Sequence, residues 1–262
     1  MDKGGETVNT KEDYIGVFDS GVGGISVLRQ LRNVMPRERF LYFGDSANAP
    51  YGTRSREEIR QLTLKVAAKL TERGLKALVV ACNTATAAAI EDLRKAYPDM
   101  IVIGIEPALK PACGRFPGQT VGVMATPATL REEKLARLME HCANQCRVIK
   151  LPAVGLVELV EAGKANSPES LALLKELLGP WRGELKALVL GCTHYPFAAR
   201  TVSYVLGEDT MLLDGGVGTA IHTMHRLEEA GLLWDGPGEV IFENSSNDPA
   251  MTELCRRMLT EE

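Results

Sequence analysis

The chain of 262 residues lacks an excess of basic side chains: 30 Lys and Arg stand against 34 Asp and Glu, a formal net charge of −4. Without a cationic footprint for phosphates, nucleic acid is not an expected partner. No apolar run approaches the roughly 18 residues that a membrane helix needs, so no membrane association is expected. The first 13 residues, MDKGGETVNTKED, lack a hydrophobic core region and read as a flexible, solvated arm rather than a signal peptide. A soluble, cytoplasmic protein is the expectation. A C-x-x-C pair is also missing, which argues against a thiol-redox protein.

Cysteines are present, at positions 82, 113, 142, 146, 192 and 255. A disulfide framework is not expected in a chain rich in apolar core material that carries no secretion signal. Cys142 and Cys146 lie one helical turn apart beside His141, with no second ligand pair at zinc-like spacing. They are read as inert, half-buried thiols, and no metal is assigned. His222 and His225, in AIHTMHRLEEAG, lack a third ligand and read as surface or packing residues.

Nine short apolar runs alternate with amphipathic stretches: YIGVF (14–18), RFLYF (39–43), KALVVA (76–81), IVIG (101–104), TVGVM (120–124), RVIKL (147–151), KALVLG (186–191), MLLD (211–214) and EVIF (239–242). Apolar strands followed by helices predict an α/β fold with parallel sheets covered on both faces. The chain also repeats itself. IGVFDSGVGG is echoed by VGVMATPATL, and KALVVAC by KALVLGC, each a little over a hundred residues later. A duplicated α/β unit follows, with the Pro- and Gly-rich segment 104–119 as the crossing between halves.

In open parallel sheets, ligands bind beyond the carboxyl ends of strands. DSGVGG (19–24), CNTAT (82–86), ATPAT (125–129) and CTHYP (192–196) occupy such places. If the halves face each other, Cys82 and Cys192 meet at a shared cleft. A thiol at a helix N-terminus has a lowered pKa. Two such thiols on opposite sides of one carbon can remove a proton from one face and deliver one to the other, which inverts a stereocentre. Asp19 is suited to orient a substrate ammonium and His194 to tune the thiol beside it. Ser20, Asn83, Thr84 and Thr193 surround them with hydrogen-bonding groups. A competing reading makes Gly21, Gly23 and Gly24 a nucleotide- or phosphate-binding turn. The run is G-x-G-G rather than a full G-x-G-x-x-G, and Glu38 precedes the second strand instead of ending it.

GVFDSGVGG, YFGDSANAPYG, ACNTATAAAI and GCTHYPF, in this order, resemble the cofactor-independent glutamate racemases of the aspartate/glutamate racemase superfamily from Tyr14 onward. The resemblance implies two similar parallel-sheet α/β domains related by pseudo-twofold symmetry, with the active site between them: 1–104, 105–215, and a return to the first domain over 216–262. It implies interconversion of L- and D-glutamate without pyridoxal phosphate, metal or other cofactor, supplying D-glutamate for peptidoglycan. Cys82 matches the thiol acting on the D-enantiomer and Cys192 the one acting on the L-enantiomer, assisted by Asp19 and His194. Substrate-binding positions map to Asp19–Ser20, Pro50–Tyr51–Gly52, Asn83–Thr84, Thr126 and Thr193–His194. An auxiliary glutamate maps best to Glu161, with Glu158 as rival. Ala49 stands where a cysteine is common, and Gly215 where a serine is frequent. A homodimer is an assembly the resemblance allows. A racemase of aspartate or of a related hydantoin is the alternative within the same chemistry.

Overall fold

The computed structural model describes residues 10–260, so all of the expected N-terminal arm but residues 10–13 lies outside the described residues. The first half runs β1 (Tyr14–Asp19), α1 (Ile25–Val34), β2 (Arg39–Gly44), α2 (Arg56–Thr71), β3 (Leu75–Val80), α3 (Asn83–Ala96) and β4 (Ile101–Gly104). A crossing that carries α4 (Leu109–Arg115) leads to β5 (Thr120–Ala125), α5 (Pro127–Arg131), α6 (Glu133–Cys142), β6 (Arg147–Pro152) and α7 (Leu156–Glu161). Next come α8 (Pro168–Leu178), β7 (Ala187–Leu190), α9 (Ala199–Leu206) and β8 (Met211–Asp214). The chain ends with α10 (Gly216–Glu229), β9 (Glu239–Asn244) and α11 (Pro249–Thr260). Each of the nine apolar runs forms a strand, with ends moved by two residues at most.

All strand pairs are parallel. One sheet has the order β4-β3-β1-β2-β9 and the other, read in the same sense, β8-β7-β5-β6. The second half thus repeats the order of the first, and β9 is an addition at the edge beside β2. Parallel neighbours need a crossover rather than a tight turn, and helices supply it.

Side chains alternate across each sheet. From β1 and β3, Ile15, Val17, Ala77 and Val79 pack with α1, α10 and α11, whereas Phe18, Leu78 and Val80 pack with α2 and α3. The second sheet is likewise clad by α7, α8 and α9 on one face and α4, α5 and α6 on the other. Each Leu or Ile buried this completely stabilises the fold by about 1.5–3 kcal/mol. Local signals agree with the packing. Ser55 caps α2 by accepting the Glu58 N–H, while Glu58 accepts the Ser55 N–H in return.

Three cysteines depart from expectation. Cys113 of α4 and Cys146, just before β6, form a disulfide with Cα atoms 5.6 Å apart. Packing of α4 against the second sheet brings together positions that are 33 residues apart, a contact that spacing does not reveal. Cys142 is a free thiol, fully rather than half buried. His222 and His225 face solvent.

At the start of β3, Lys76 is wholly buried, with Nζ 2.7 Å from Glu38 Oε2. It also donates to the carbonyls of Lys11 and Leu232, and Glu38 accepts the Trp234 N–H. Burial pushes the Lys76 pKa down against the pull of Glu38. This staple joins the chain before β1 to the chain before β9. Glu38→Gln strands a buried ammonium and is expected to cost about 3–5 kcal/mol, read as a lower urea midpoint. Lys76→Met with Glu38→Leu, which removes both charges, should lie closer to the parent protein.

Candidate active site

The carboxyl ends of the two sheets share a narrow cleft. Cys82 lies two residues beyond the end of β3 and Cys192 two residues beyond the end of β7. Both line that cleft, together with Ser20, Pro50, Tyr51, Gly52, Asn83, Thr84, Thr126, Thr193 and His194. Asp19 and Glu161 stand behind its wall and reach it through other side chains. The cleft encloses about 40 Å³, far less than the groove of about 660 Å³ between α1, the end of α7 and α11. Size alone would therefore point away from the thiols.

The thiols are held differently, although their strands match. Cys82 caps α3: its sulfur accepts the Ala85 N–H at 3.4 Å and donates to Ser20 Oγ at 3.5 Å. The expected lowering of its pKa is reversed. Burial, reinforced by the nearby Asp19 charge, pushes the Cys82 thiol up to about 12, against smaller contrary pulls from Ser20 and the Ala85 amide. Cys192 does not cap an α-helix. A tight 3₁₀ turn, Tyr195–Ala198, intervenes before α9, anchored by the Tyr195 hydroxyl on the Ala153 carbonyl. The partner of Cys192 is instead His194, with Nδ1 3.6 Å from the sulfur.

Behind His194 stands Glu161, at the end of α7. Its Oε1 lies 2.6 Å from His194 Nε2 and accepts the Val22 N–H at 2.8 Å. Burial disfavours a charged His194, yet its bonds to Cys192 and Glu161 prevail and raise its pKa well above 6.5. Burial likewise works against a charged Glu161, but His194 and the Val22 amide hold its carboxyl below the usual range. The two shifts agree on an imidazolium–carboxylate pair. Asp19, fully buried, accepts the Gly21 N–H at 2.9 Å and the Thr193 hydroxyl at 3.0 Å. Its desolvation outweighs the pull of His194 and raises its pKa.

This arrangement explains the glycine run. A Cβ on Gly21 would land on the Glu161 carboxylate, and one on Gly23 would enter the His194 ring. The room at Gly21 and Gly23 is taken by side chains from the other half, and that at Gly24 by Asp19 and Ala81, which removes the physical basis for a phosphate-binding turn. The helical glutamates separate too. Glu158 is exposed and lines the cleft, whereas Glu161 is turned back toward His194.

Some lining residues carried no sequence motif. Ala153, Val154, Gly155 and Val157, in and before α7, form one wall. Val154 is left 64% exposed there, which the sequence alone does not reveal. Thr129 is a further residue to which the motifs assign no role. Its hydroxyl lies 3.0 Å from those of both Thr84 and Thr126 and joins the two halves, and the T-x-x-T spacing at the start of α5 was the clue. Asn83 Oδ1 is buried without a hydrogen-bond partner, an acceptor at the edge of the cleft. Among the described residues no group of three or more His, Cys, Asp or Glu is placed to hold a metal ion. No described helix is long and apolar enough to cross a membrane.

Because the folded-state pKa of His194 lies above its unfolded value, its contribution to stability is complete below about pH 6.5. That contribution is lost as pH rises through the raised value. Glu161→Gln should move the His194 titration downward, followed by NMR of the imidazole, and should weaken the protein most at mildly acidic pH.

The Asp/Glu/Hydantoin racemase family profile matches residues 20–217. A glutamate racemase from Clostridium perfringens is 44% identical over 252 residues, covering 95% of this chain and 97% of that one. The crystal structure of a glutamate racemase from Francisella tularensis in complex with D-glutamate superposes with a TM-score of 0.83 at 29% identity, covering 96% of this chain and 95% of the other. A Thermus thermophilus glutamate racemase in complex with β-chloro-D-alanine gives 0.80 at 36% identity, covering 97% and 95%.

Proposed function

The chain belongs to the Asp/Glu/hydantoin racemase family, and from that premise we propose that it interconverts L- and D-glutamate by moving protons between two thiols and the α-carbon. One observation carries this reading: Cys82 and Cys192, from opposite halves, line a single cleft. The choice of glutamate draws on the similarity to glutamate racemases, one of them holding D-glutamate.

In the L-to-D direction the Cys192 sulfur, as thiolate, takes the α-proton. The C–H bond breaks, an S–H bond forms, and the electron pair passes toward the substrate carboxylate. Cys82 then gives its proton to the opposite face and is left as the thiolate. The reverse reaction exchanges the roles. His194, charged and 3.6 Å from the Cys192 sulfur, stabilises negative charge there, and Glu161 keeps His194 charged and oriented. Burial keeps Cys82 protonated at rest, which suits a proton donor.

The α-proton is far less acidic than a thiol, so the developing carbanion must be stabilised by preorganised donors in a water-poor site. The Thr193 and Thr126 hydroxyls are committed to Asp19 and Thr129, so Ser20 and Thr84 supply the hydroxyl donors, and the unpartnered Asn83 Oδ1 is a ready acceptor for the substrate ammonium. We place the enzyme in the cytoplasm as a homodimer supplying D-glutamate for peptidoglycan.

The deciding experiment incubates each enantiomer separately in deuterated water without added cofactor. Racemisation with deuterium at the α-carbon is expected from both, and a failure to racemise either enantiomer overturns the reading. Replacing Cys82 with Ala should lower kcat/KM by about 10²–10⁴-fold while circular dichroism shows the fold intact.

A further inference from the structure

Asp45 lies just past β2, outside the cleft, and no role above falls to it. Its carboxylate is almost wholly buried at 2% exposure, an arrangement stable only when its oxygens are satisfied. Oδ2 accepts the Tyr51 hydroxyl at 2.7 Å, and the Asn48 amide reaches Oδ1 and Oδ2 at 3.0 and 3.1 Å. The Asp45 N–H donates to the Asp19 carbonyl at 2.9 Å. One residue therefore ties the backbone behind the thiols to the loop that carries Pro50, Tyr51 and Gly52 along the cleft.

That loop has little latitude. The Tyr51 ring is buried at an angle to Phe18, centroids 6.4 Å apart, and Arg54 Nε closes the loop on the Asn48 carbonyl at 3.0 Å. A Cβ added at Gly52 would come within 2.9 Å of Thr126 Cβ, so the loop already abuts the opposite half. Burial first, and the hydrogen bond to Asp45 second, raise the Tyr51 pKa, so its phenol stays protonated and donating.

We propose that Asp45 is a positioning residue: through the Tyr51 hydroxyl it fixes the Tyr51–Gly52 wall against which substrate is held. It touches neither thiol nor the His194–Glu161 pair. Its loss should loosen binding of ground and transition states alike, which raises KM and spares kcat. The inference rests on the racemase reading above.

The test compares Asp45→Asn, Tyr51→Phe and the double variant with the parent enzyme, measuring kcat, KM and the pH profile for each enantiomer of glutamate. In Asp45→Asn the new amide meets the Asn48 amide donor for donor. Each single variant should raise KM about tenfold, the scale of one hydrogen bond to a charged group. Neither should change kcat by more than about threefold, the pH profile should hold, and the double variant should be no worse than the poorer single one. An unchanged KM in either single variant, or KM effects that multiply in the double, overturns the inference. Should Asp45→Asn fail to fold by circular dichroism, Tyr51→Phe, which deletes one hydroxyl, decides the matter by the same KM criterion. A parent enzyme that racemises neither enantiomer overturns the racemase reading instead, so the two failures are distinguishable.

Discussion

The short contact between Glu161 and His194 organises the electrostatics of this cleft. Glu161 sits at the end of α7 in the second half, yet the same carboxylate oxygen accepts the Val22 amide of the first. One oxygen therefore does two things. It keeps a fully buried imidazole charged beside Cys192, and it pins the turn after β1 against the opposite half. Such a pair is tolerable in a desolvated place only because each partner's remaining groups are occupied. It also dictates residues that do not line the cleft, since Gly21 and Gly23 must stay small to admit it.

The two halves share a strand order and a thiol offset, but the surroundings of the sulfurs have diverged. Cys82 sees a helix amide, a serine hydroxyl and a raised Asp19 carboxyl. Cys192 sees a cation on a tight turn. A symmetric scaffold bearing asymmetric electrostatics suits a substrate whose two α-faces are mirror images but whose side chain can point only one way. The hydroxyl cluster of Thr84, Thr126 and Thr129 closes the junction on one side, and the Thr193–Asp19 bond closes it on the other.

Much of the fold was legible because burial of a strand on both faces leaves a direct trace. Runs such as KALVVA and KALVLG are apolar on both faces, and only strands of a covered parallel sheet need that. The repeat was legible for the same reason, since Gly16 and Gly122 occupy matching registers on the central strands. Electrostatics was less so. A cysteine before a helix suggests a lowered pKa, but burial raises Cys82, and its packed cluster includes Phe18, Tyr51 and Ala128, all distant in sequence. The disulfide between Cys113 and Cys146 stayed hidden because α4 is placed by tertiary packing and not by any local spacing. The wall before α7 was hidden too, since Ala, Val and Gly at a cleft look like Ala, Val and Gly in any loop.

β9 pairs with β2 along its whole length, from Arg39 opposite Glu239 to Gly44 opposite Asn244. The sheet that starts at residue 14 is thus closed by residues some two hundred positions later. During synthesis on the ribosome, β5 to β8 emerge as a complete neighbouring set, while the earlier strands must wait with one edge open for the C-terminal residues. The half translated first is the half completed last, and a ribosome stalled before β9 leaves an unpaired strand edge at β2 open to wrong partners.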